Sequence, residues 1–441
     1  MLVFKFGGAS IKNAEAVKQV GKIVRQYSDS IIIVISAMAK NTNALEKLAA
    51  TYFNSQHNSK NKHEGLGNST DGFDSVYQQY KLIKEFHFNI VNDLFSNSNH
   101  AIFIELTKLF DRLLTRLKTE PSLNFNFEYD QIVSFGEIVS TKIISAYLNE
   151  TSLQNKWIDI RKSLKTDNVY REAGVNWKLS EKLMKKVFLF NKQNLYITQG
   201  FIGSTINNMT TTLGREGSDF TASAIAYIMD AEKVITWKDV PGIFSADPAV
   251  YKNPEKLEEI SYKEAIELSF FGAKVIHPKT IKPLQNKKIP LYVKSFISPK
   301  ESGTIINGSK NTNRGVLSKK QIPIYIFKKN QRLISISPYD FSFIVEENLS
   351  RIFKLFAKYR TKINLMQNSA ISFSVCIDDD ENKLLPLIDE LQQKFKVLYN
   401  NNLELITIQS YTEKAIKQIT EGRTILVQQK SRHTARFVMK M

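Results

Sequence analysis

Residues 30–35, Ser-Ile-Ile-Ile-Val-Ile, form an apolar run with no polar face. Such a run buries both sides of a strand, the situation of parallel sheets covered by helices above and below. It is followed by a turn of small and hydroxyl-bearing residues, Ser36-Ala37-Met38-Ala39-Lys40-Asn41-Thr42-Asn43, and then by a helical pattern from Ala44 to Ala49. The N-terminal segment repeats this arrangement: a strand at residues 2–6, a break at Gly7-Gly8-Ala9-Ser10, and a helical pattern over residues 14–27. Two successive units of strand, turn and helix predict an α/β fold, an open and mostly parallel sheet with helices on both faces. Residues 157–160, 195–202 and 233–237 read as further strands of it.

Open sheets of this kind place ligands at the carboxyl ends of their strands. That rule singles out Lys5 beside the glycine pair, and the hydroxyls of Ser36 and Thr42; an edge-strand lysine and a helix-capping threonine are the plain alternatives. Residues 210–219, Thr-Thr-Thr-Leu-Gly-Arg-Glu-Gly-Ser-Asp, set a glycine turn between a hydroxyl run and a helix of small apolar residues. Free N–H groups at such a helix start favour a phosphate or carboxylate, and Arg215 adds a planar fork suited to a carboxylate. Asp219 would repel phosphate unless it orients a cation such as a lysine or Mg²⁺. In an ordinary turn, Ser218 or Asp219 would instead cap the helix.

Residues 129–148 read as one helix with Ser134-Phe135-Gly136-Glu137 inside it, where glycine is costly unless something must come close. Glu137 suits an ammonium group, or else faces solvent. Further along, residues 238–248 make a proline- and glycine-containing loop with the carboxylates of Asp239 and Asp247, and Lys274 follows Gly272 closely enough to approach a ligand. His277 reads as structural.

The chain has 441 residues, enough for two or three domains, and a formal net charge of +18. Its lysines and arginines are scattered, with no aromatic-interleaved basic stripe, so nucleic acid is not the expected partner and an anionic small molecule is. A single cysteine, Cys376, excludes an internal disulfide and a cysteine-rich metal cluster. The start of the chain lacks a leader pattern, and no apolar run reaches the roughly 20 residues of a membrane span, so a cytoplasmic location without membrane contact is expected. Residues 54–74 read as an exposed loop and residues 76–119 as amphipathic helix. Residues 302–321 are polar and glycine-containing, the best boundary in the chain. Beyond it come short strands at residues 333–337, 363–367, 371–377, 403–409, 425–429 and 434–439, with helical patterns at 349–359, 386–394 and 413–420. These form two small βαββ-like units.

Read together, Lys5-Phe6-Gly7-Gly8-Ala9-Ser10, Gly214-Arg215-Glu216-Gly217-Ser218-Asp219, Asp239-Val240-Pro241-Gly242-Ile243 and Phe271-Gly272-Ala273-Lys274-Val275-Ile276-His277-Pro278 resemble the ordered motifs of the aspartokinase family. The resemblance implies an amino-acid-kinase catalytic domain over residues 1–301 with a helical insertion at about 55–130, a linker at 302–321, and ACT-like regulatory units at 322–395 and 396–441. It implies ATP-dependent phosphorylation of the side-chain carboxylate of L-aspartate to 4-phospho-L-aspartate, the first step toward lysine, threonine and methionine. By the same resemblance Lys5, Asp219 and Lys274 are catalytic, and Ser36, Thr42, Glu137 and Arg215 bind aspartate. Gly7, Gly8, Lys238, Asp239, Phe244 and Lys274 meet ATP. Mg²⁺ arrives on the nucleotide without a dedicated metal site. An amino-acid effector at the ACT-like units and a homodimer or larger homo-oligomer are further expectations.

The chain departs from the family pattern in four places. Ala9 stands where threonine is usual, Glu216 where glycine is usual, Phe244 where tyrosine is common, and Ala249 where an arginine tends to contact nucleotide. Asn364 stands near a position where aspartate often meets a lysine effector. The competing readings are an amino-acid kinase for another acid, such as glutamate or N-acetylglutamate, and a catalytically silent amino-acid sensor. A P-loop kinase is excluded, since the chain has no G-x-x-x-x-G-K-[ST].

Overall fold

A computed structural model describes residues 1–60, 70–273, 276–308, 322–340 and 342–441. The chain divides into two units. The first holds Met1–Ile243, Glu258–Ile266 and Ile276–Lys310; the second holds Phe244–Leu257, Glu267–Val275 and Asn311–Met441.

In the first unit, strands β1 (Leu2–Phe6), β2 (Ile31–Ile35), β3 (Lys156–Ile158) and β4 (Leu195–Gln199) precede a two-stranded ribbon of β5 (Ile202–Ser204) and β6 (Thr210–Thr212). Strand β7 (Lys233–Lys238) follows; after the short pair β8 (Ile243–Phe244) and β9 (Lys256–Leu257), whose residues from Phe244 onward belong to the second unit, come β10 (Glu259–Ser261), β11 (Leu291–Ser295) and β12 (Thr304–Asn307). Among the described residues the main sheet has eight strands in the order β10-β12-β11-β7-β1-β2-β4-β3, parallel throughout except between β11 and β12. Every residue of β1, β2 and β4 is buried, as their unbroken apolar runs require. Strand β1 lies between β2 and β7, so successive connections leave it in opposite directions and open a crevice at its carboxyl end.

The helices of this unit are α1 (Ala14–Val24), α2 (Asn41–Lys60), α3 (Thr70–Leu94), α4 (Ala101–Lys118), α5 (Phe125–Val133), α6 (Phe135–Glu150), α7 (Trp177–Val187), α8 (Gly217–Ile228), α9 (Tyr262–Phe271), which runs on into the second unit, and α10 (Pro278–Lys287). Helix α1 starts where Asn13 accepts the Ala16 N–H at 3.0 Å, and its buried stripe of Val17, Val20, Ile23 and Val24 joins the sheet core. None of the described helices is long and apolar enough to cross a membrane.

Three sequence expectations need correction here. The loop read over residues 54–74 is helical at both ends, since α2 runs to Lys60 and α3 starts at Thr70; residues 61–69 lie outside the described residues. The single helix read over residues 129–148 is two, broken at Ser134. The break brings Gly136 so close to the loop after β2 that an added Cβ would lie 2.9 Å from both Ala37 Cβ and Leu45 Cδ1. That approach is what the glycine is for. Finally, the stretch read as linker contains β12, which pairs with β10 and β11; residues 309–321 lie outside the described residues.

The second unit is built on strands β13 (Ile324–Ser337), β14 (Ile363–Asn368), β15 (Phe373–Asp378), β16 (Lys396–Gln409), β17 (Ile425–Lys430) and β18 (Thr434–Lys440). They form one antiparallel sheet in the order β14-β15-β13-β16-β18-β17. Helices α11 (Glu346–Lys358) and α12 (Glu381–Gln392) pack over one half through Ile352, Phe356, Leu387 and Leu391, and α13 (Glu413–Thr420) over the other through Ile416 and Ile419. The last strand does not extend the first βαββ half. It pairs with the far end of β16, residues 403–409, which also pairs with the first residues of β13.

Candidate active site

Lys5 projects from the buried strand β1, and its Nζ donates to Asp219 Oδ2 at 2.8 Å across 214 residues of sequence. Both side chains are less than a tenth exposed. Asp219 lies in the first turn of α8, where the positive end of the helix favours a carboxylate. Burial pushes its pKa up, but the charges of Lys5 and Lys238 outweigh that and hold it below the ordinary value. Its second oxygen, Oδ1, is buried with no partner among the described residues. The helix is capped by neither Ser218 nor Asp219: Glu216 is the residue before its first turn, in the left-handed region with φ of 53°.

That conformation explains why glycine is the usual residue at position 216 and what glutamate adds there. A side chain in the left-handed region costs roughly 1–2 kcal/mol. In partial return, Glu216 Oε2 accepts the His277 N–H at 2.9 Å. His277 itself starts α10, its Nδ1 accepting the Lys279 N–H, which fits the structural part expected of it.

Glu137 comes from the opposite side of the crevice, in the first turn of α6. It does not face solvent; it is 2% exposed. Its Oε1 accepts the Ala37 N–H at 3.3 Å, while Oε2 has no partner among the described residues. Burial drives its pKa up to about 8. A buried carboxylate lacking a countercharge costs stability, and a site that keeps one suits an incoming cation. Ser36 is half-buried at the end of β2, its carbonyl accepting from Ser140 Oγ at 2.7 Å, and Thr42 is half-buried in the first turn of α2.

The glycine pair closes the same space. A Cβ on Gly8 would lie 2.5 Å from the Ala39 carbonyl oxygen and 2.8 Å from that of Ala37, so only a bare α-carbon permits this approach. At Gly7, the corresponding atom would be 3.4 Å from Lys5 Nζ. The carboxyl ends of β1, β2 and β4 and the first turns of α6 and α8 are thus brought near one another, with the ammonium of Lys5 and the carboxylates of Asp219 and Glu137 buried on them.

Other expected residues are placed differently. Arg215 is exposed on the turn before α8, Lys238 is half-buried at the end of β7, and Asp239 is exposed just beyond it. Phe244 and Ala249 belong to the second unit. Lys274 lies outside the described residues.

Two residues that sequence reasoning passed over join the site. Phe201 has φ of 70°, strained for a bulky side chain; its N–H donates to Thr221 Oγ1 and its carbonyl accepts from the Leu213 N–H. Asp130 is wholly buried in α5 and bonds to β6 just ahead of the glycine turn. Neither carries a signal in sequence, because each works through partners far away in the chain.

The Oδ1 of Asp219, without a partner among the described residues, would suit a water of a hydrated Mg²⁺.

The amino acid kinase family model matches residues 1–295. The lysine-sensitive aspartokinase 3 of Escherichia coli strain K12 is 29% identical over 393 residues, covering 86% of this chain and 78% of that one. The crystal structure of E. coli aspartokinase III in complex with lysine and aspartate, called its T-state, superposes with a TM-score of 0.79 at 27% identity, over 99% of this chain and 95% of that one. Its R-state, in complex with aspartate and ADP, gives 0.77 at 27% identity over 100% and 96%. The chain belongs to the amino acid kinase family, and within that family its likeness is to the aspartokinases.

Proposed function

We propose that this protein is an aspartate kinase, moving the γ-phosphoryl group of ATP onto the side-chain carboxylate of L-aspartate to give 4-phospho-L-aspartate. The observation that supports the reading is a buried, ion-paired lysine ammonium at the end of β1 together with the buried carboxylate of Glu137. The attacking carboxylate, with an ordinary pKa near 3.9, is already ionised at neutral pH, so no general base is needed. Catalysis rests on positioning and on neutralising charge that spreads over the transferring oxygens.

In this reading Lys5 supplies that charge and Asp219 holds its ammonium in place. Gly7 and Gly8 let the backbone reach the phosphates. Glu137 takes the α-ammonium and Arg215 the α-carboxylate, with Ser36 and Thr42 beside them. Lys238, Asp239, Phe244 and Lys274 are assigned to the nucleotide, and Mg²⁺ arriving with it would supply further positive charge against its phosphates. Glu137 argues against N-acetylglutamate, which has no ammonium to offer it. The test is ADP release measured with L-aspartate, L-glutamate and N-acetyl-L-glutamate in parallel. Aspartate should support turnover well above the other two, and equal rates with glutamate would remove aspartate from the reading.

Arg215→Lys sharpens the assignment. An ammonium cannot reproduce a two-point grip on a carboxylate, so the aspartate KM should rise by roughly tenfold or more with the ATP KM little changed. A rise in the ATP KM alone would move Arg215 to the nucleotide.

Regulation by an amino acid belongs to the same proposal, with the second unit as its seat and the cytoplasm as its place. In that unit the Lys328 ammonium already bonds to Asn364 Oδ1 at 2.8 Å and Asp378 Oδ1 at 2.7 Å. An internal ammonium there competes with a free one, so lysine is expected to inhibit weakly and Lys328→Ala to strengthen its effect. Titration of both forms with lysine, threonine and methionine checks this, and any effector that weakens substrate binding must itself be weakened by substrate. The outer strands β14 and β17 leave Met366 and Ile425 partly exposed, which suits edge-to-edge pairing in a homodimer. Light scattering measures that mass.

A further inference from the structure

We propose that Asp130 is a positioning residue for phosphoryl transfer: its carboxylate fastens strand β6 to the loop at residues 167–174 and so sets where the Gly214–Asp219 turn stands. The proposal rests on the aspartate kinase reading for its kinetic consequence, and on geometry alone for the clamp.

Asp130 is fully buried. Its Oδ1 accepts from Thr212 Oγ1 at 2.7 Å and its Oδ2 from the Thr212 N–H at 2.9 Å, while the Arg171 N–H lies between both oxygens at 3.2 and 3.1 Å. The neighbouring residue adds a second tie to the same strand, with Gln131 Nε2 donating to the Thr210 carbonyl at 2.8 Å. The two tied segments also bond to each other through the Ala173 N–H and the Thr212 carbonyl at 3.0 Å. Two residues past Thr212 the turn begins, and Gly214 stands so near Arg171 that a Cβ there would be 3.2 Å from its carbonyl oxygen. Arg215 and Asp219 follow within that turn and the helix it opens. A shift of the clamp therefore moves the residue assigned to the α-carboxylate and the residue that holds Lys5.

The chemistry of the clamp requires a carboxylate. Three donors converge on it, one hydroxyl and two backbone N–H groups, and an ionised carboxylate offers acceptors on both oxygens. An asparagine would turn its NH₂ toward one of these donors. A protonated carboxyl group would likewise bring a donor among donors. Burial has pushed the Asp130 pKa up to about 6, against the pull of its Thr212 and Arg171 bonds. The charged groups facing this cluster are the Arg171 guanidinium, which lies over the Tyr129 ring at 4.3 Å, and Glu46 of α2, which is 3.6 Å from that guanidinium; Asp167 and Glu172 stand on the tied loop.

The ionised form is the one that clamps, so aspartate kcat/KM should fall as the pH drops through about 6. This break is separate from the one near 8 expected from Glu137.

The test compares wild type, Asp130→Asn and Asp130→Glu as full-length chains, with thermal unfolding as the check on folding. Two measurements are made. Amide hydrogen exchange of the peptide spanning Thr212 to Gly217 should quicken in Asp130→Asn, and unchanged exchange overturns the clamp whatever the substrate proves to be. In kinetics, Asp130→Asn should raise the aspartate KM roughly 10- to 100-fold, leave the ATP KM within about twofold, and lose the break near pH 6, with partial recovery in Asp130→Glu. A folded Asp130→Asn with wild-type aspartate KM and an intact break overturns the proposal. Wild type that releases no ADP with aspartate sinks the kinase reading instead, and leaves the exchange result to decide the clamp.

Discussion

Lys5→Ala is expected to lower kcat by two to three orders of magnitude while the aspartate KM moves far less. A fixed cation aimed at charge that develops only in the transition state contributes on the order of 10²–10³ in rate, and ground-state binding feels little of it. The ion pair with Asp219 makes the variant informative in a second way. Removing one partner of a buried pair strands the other, a loss of about 3–5 kcal/mol, so Lys5→Ala should also unfold at lower temperature. Lys5→Met fills the same volume and separates lost chemistry from lost packing. Asp219→Asn should lower kcat in parallel, because the lysine ammonium loses the carboxylate that positions it. Turnover within tenfold of wild type in a folded Lys5 variant would remove this lysine from the chemistry.

Glu137→Gln is expected to gain stability and lose substrate together. The folded pKa of Glu137 is raised from an ordinary 4.5 to about 8 by burial. The neutral side chain therefore supports folding fully below pH 4.5, and that support is lost as the pH rises through about 8. Glutamine never ionises. Relative to wild type the variant should thus be more stable by on the order of 4 kcal/mol at pH 9, with little difference at pH 4. Aspartate binding should respond in the opposite sense, since only the ionised carboxylate attracts an ammonium. Wild-type kcat/KM for aspartate should climb toward pH 8, and Glu137→Gln should show a much higher KM with that climb removed. Denaturant unfolding at the two pH values and a pH series of initial rates measure both effects. A variant no more stable at pH 9 than wild type would mean that the buried carboxylate is compensated in a way the crevice does not show.

What the sequence revealed follows from the range of the interactions involved. Strands β1, β2 and β4 were legible because a strand buried on both faces must be apolar at every position, and the helices after them because their buried stripes repeat within a few residues. Lys5 and Asp219 could each be singled out by local context, but that they meet at 2.8 Å is a property of the sheet order, invisible along the chain. The break at Ser134 was missed because propensity favours helix on both sides of it, and only the packing of Gly136 against Ala37 and Leu45 requires the turn. The same break is what drives Glu137 into the interior. Asp130 looked like any polar residue of an amphipathic helix, since its donors come from Arg171 and Thr212, more than 40 residues away. Strand β12 was hidden in a polar stretch because a short strand next to the sheet edge can be paired on both sides and still carry half-exposed residues.

The central claim concerns which bond is made, and it is tested most directly by trapping the product. Purified protein with ATP, Mg²⁺ and L-aspartate is run in hydroxylamine, which converts an acyl phosphate to a hydroxamate, and ADP and hydroxamate are counted together. The account predicts one aspartyl hydroxamate for each ADP, formed at the side-chain carboxylate and nearly absent in Lys5→Ala. ADP release without hydroxamate, or hydroxamate at the α-carboxylate, would contradict it.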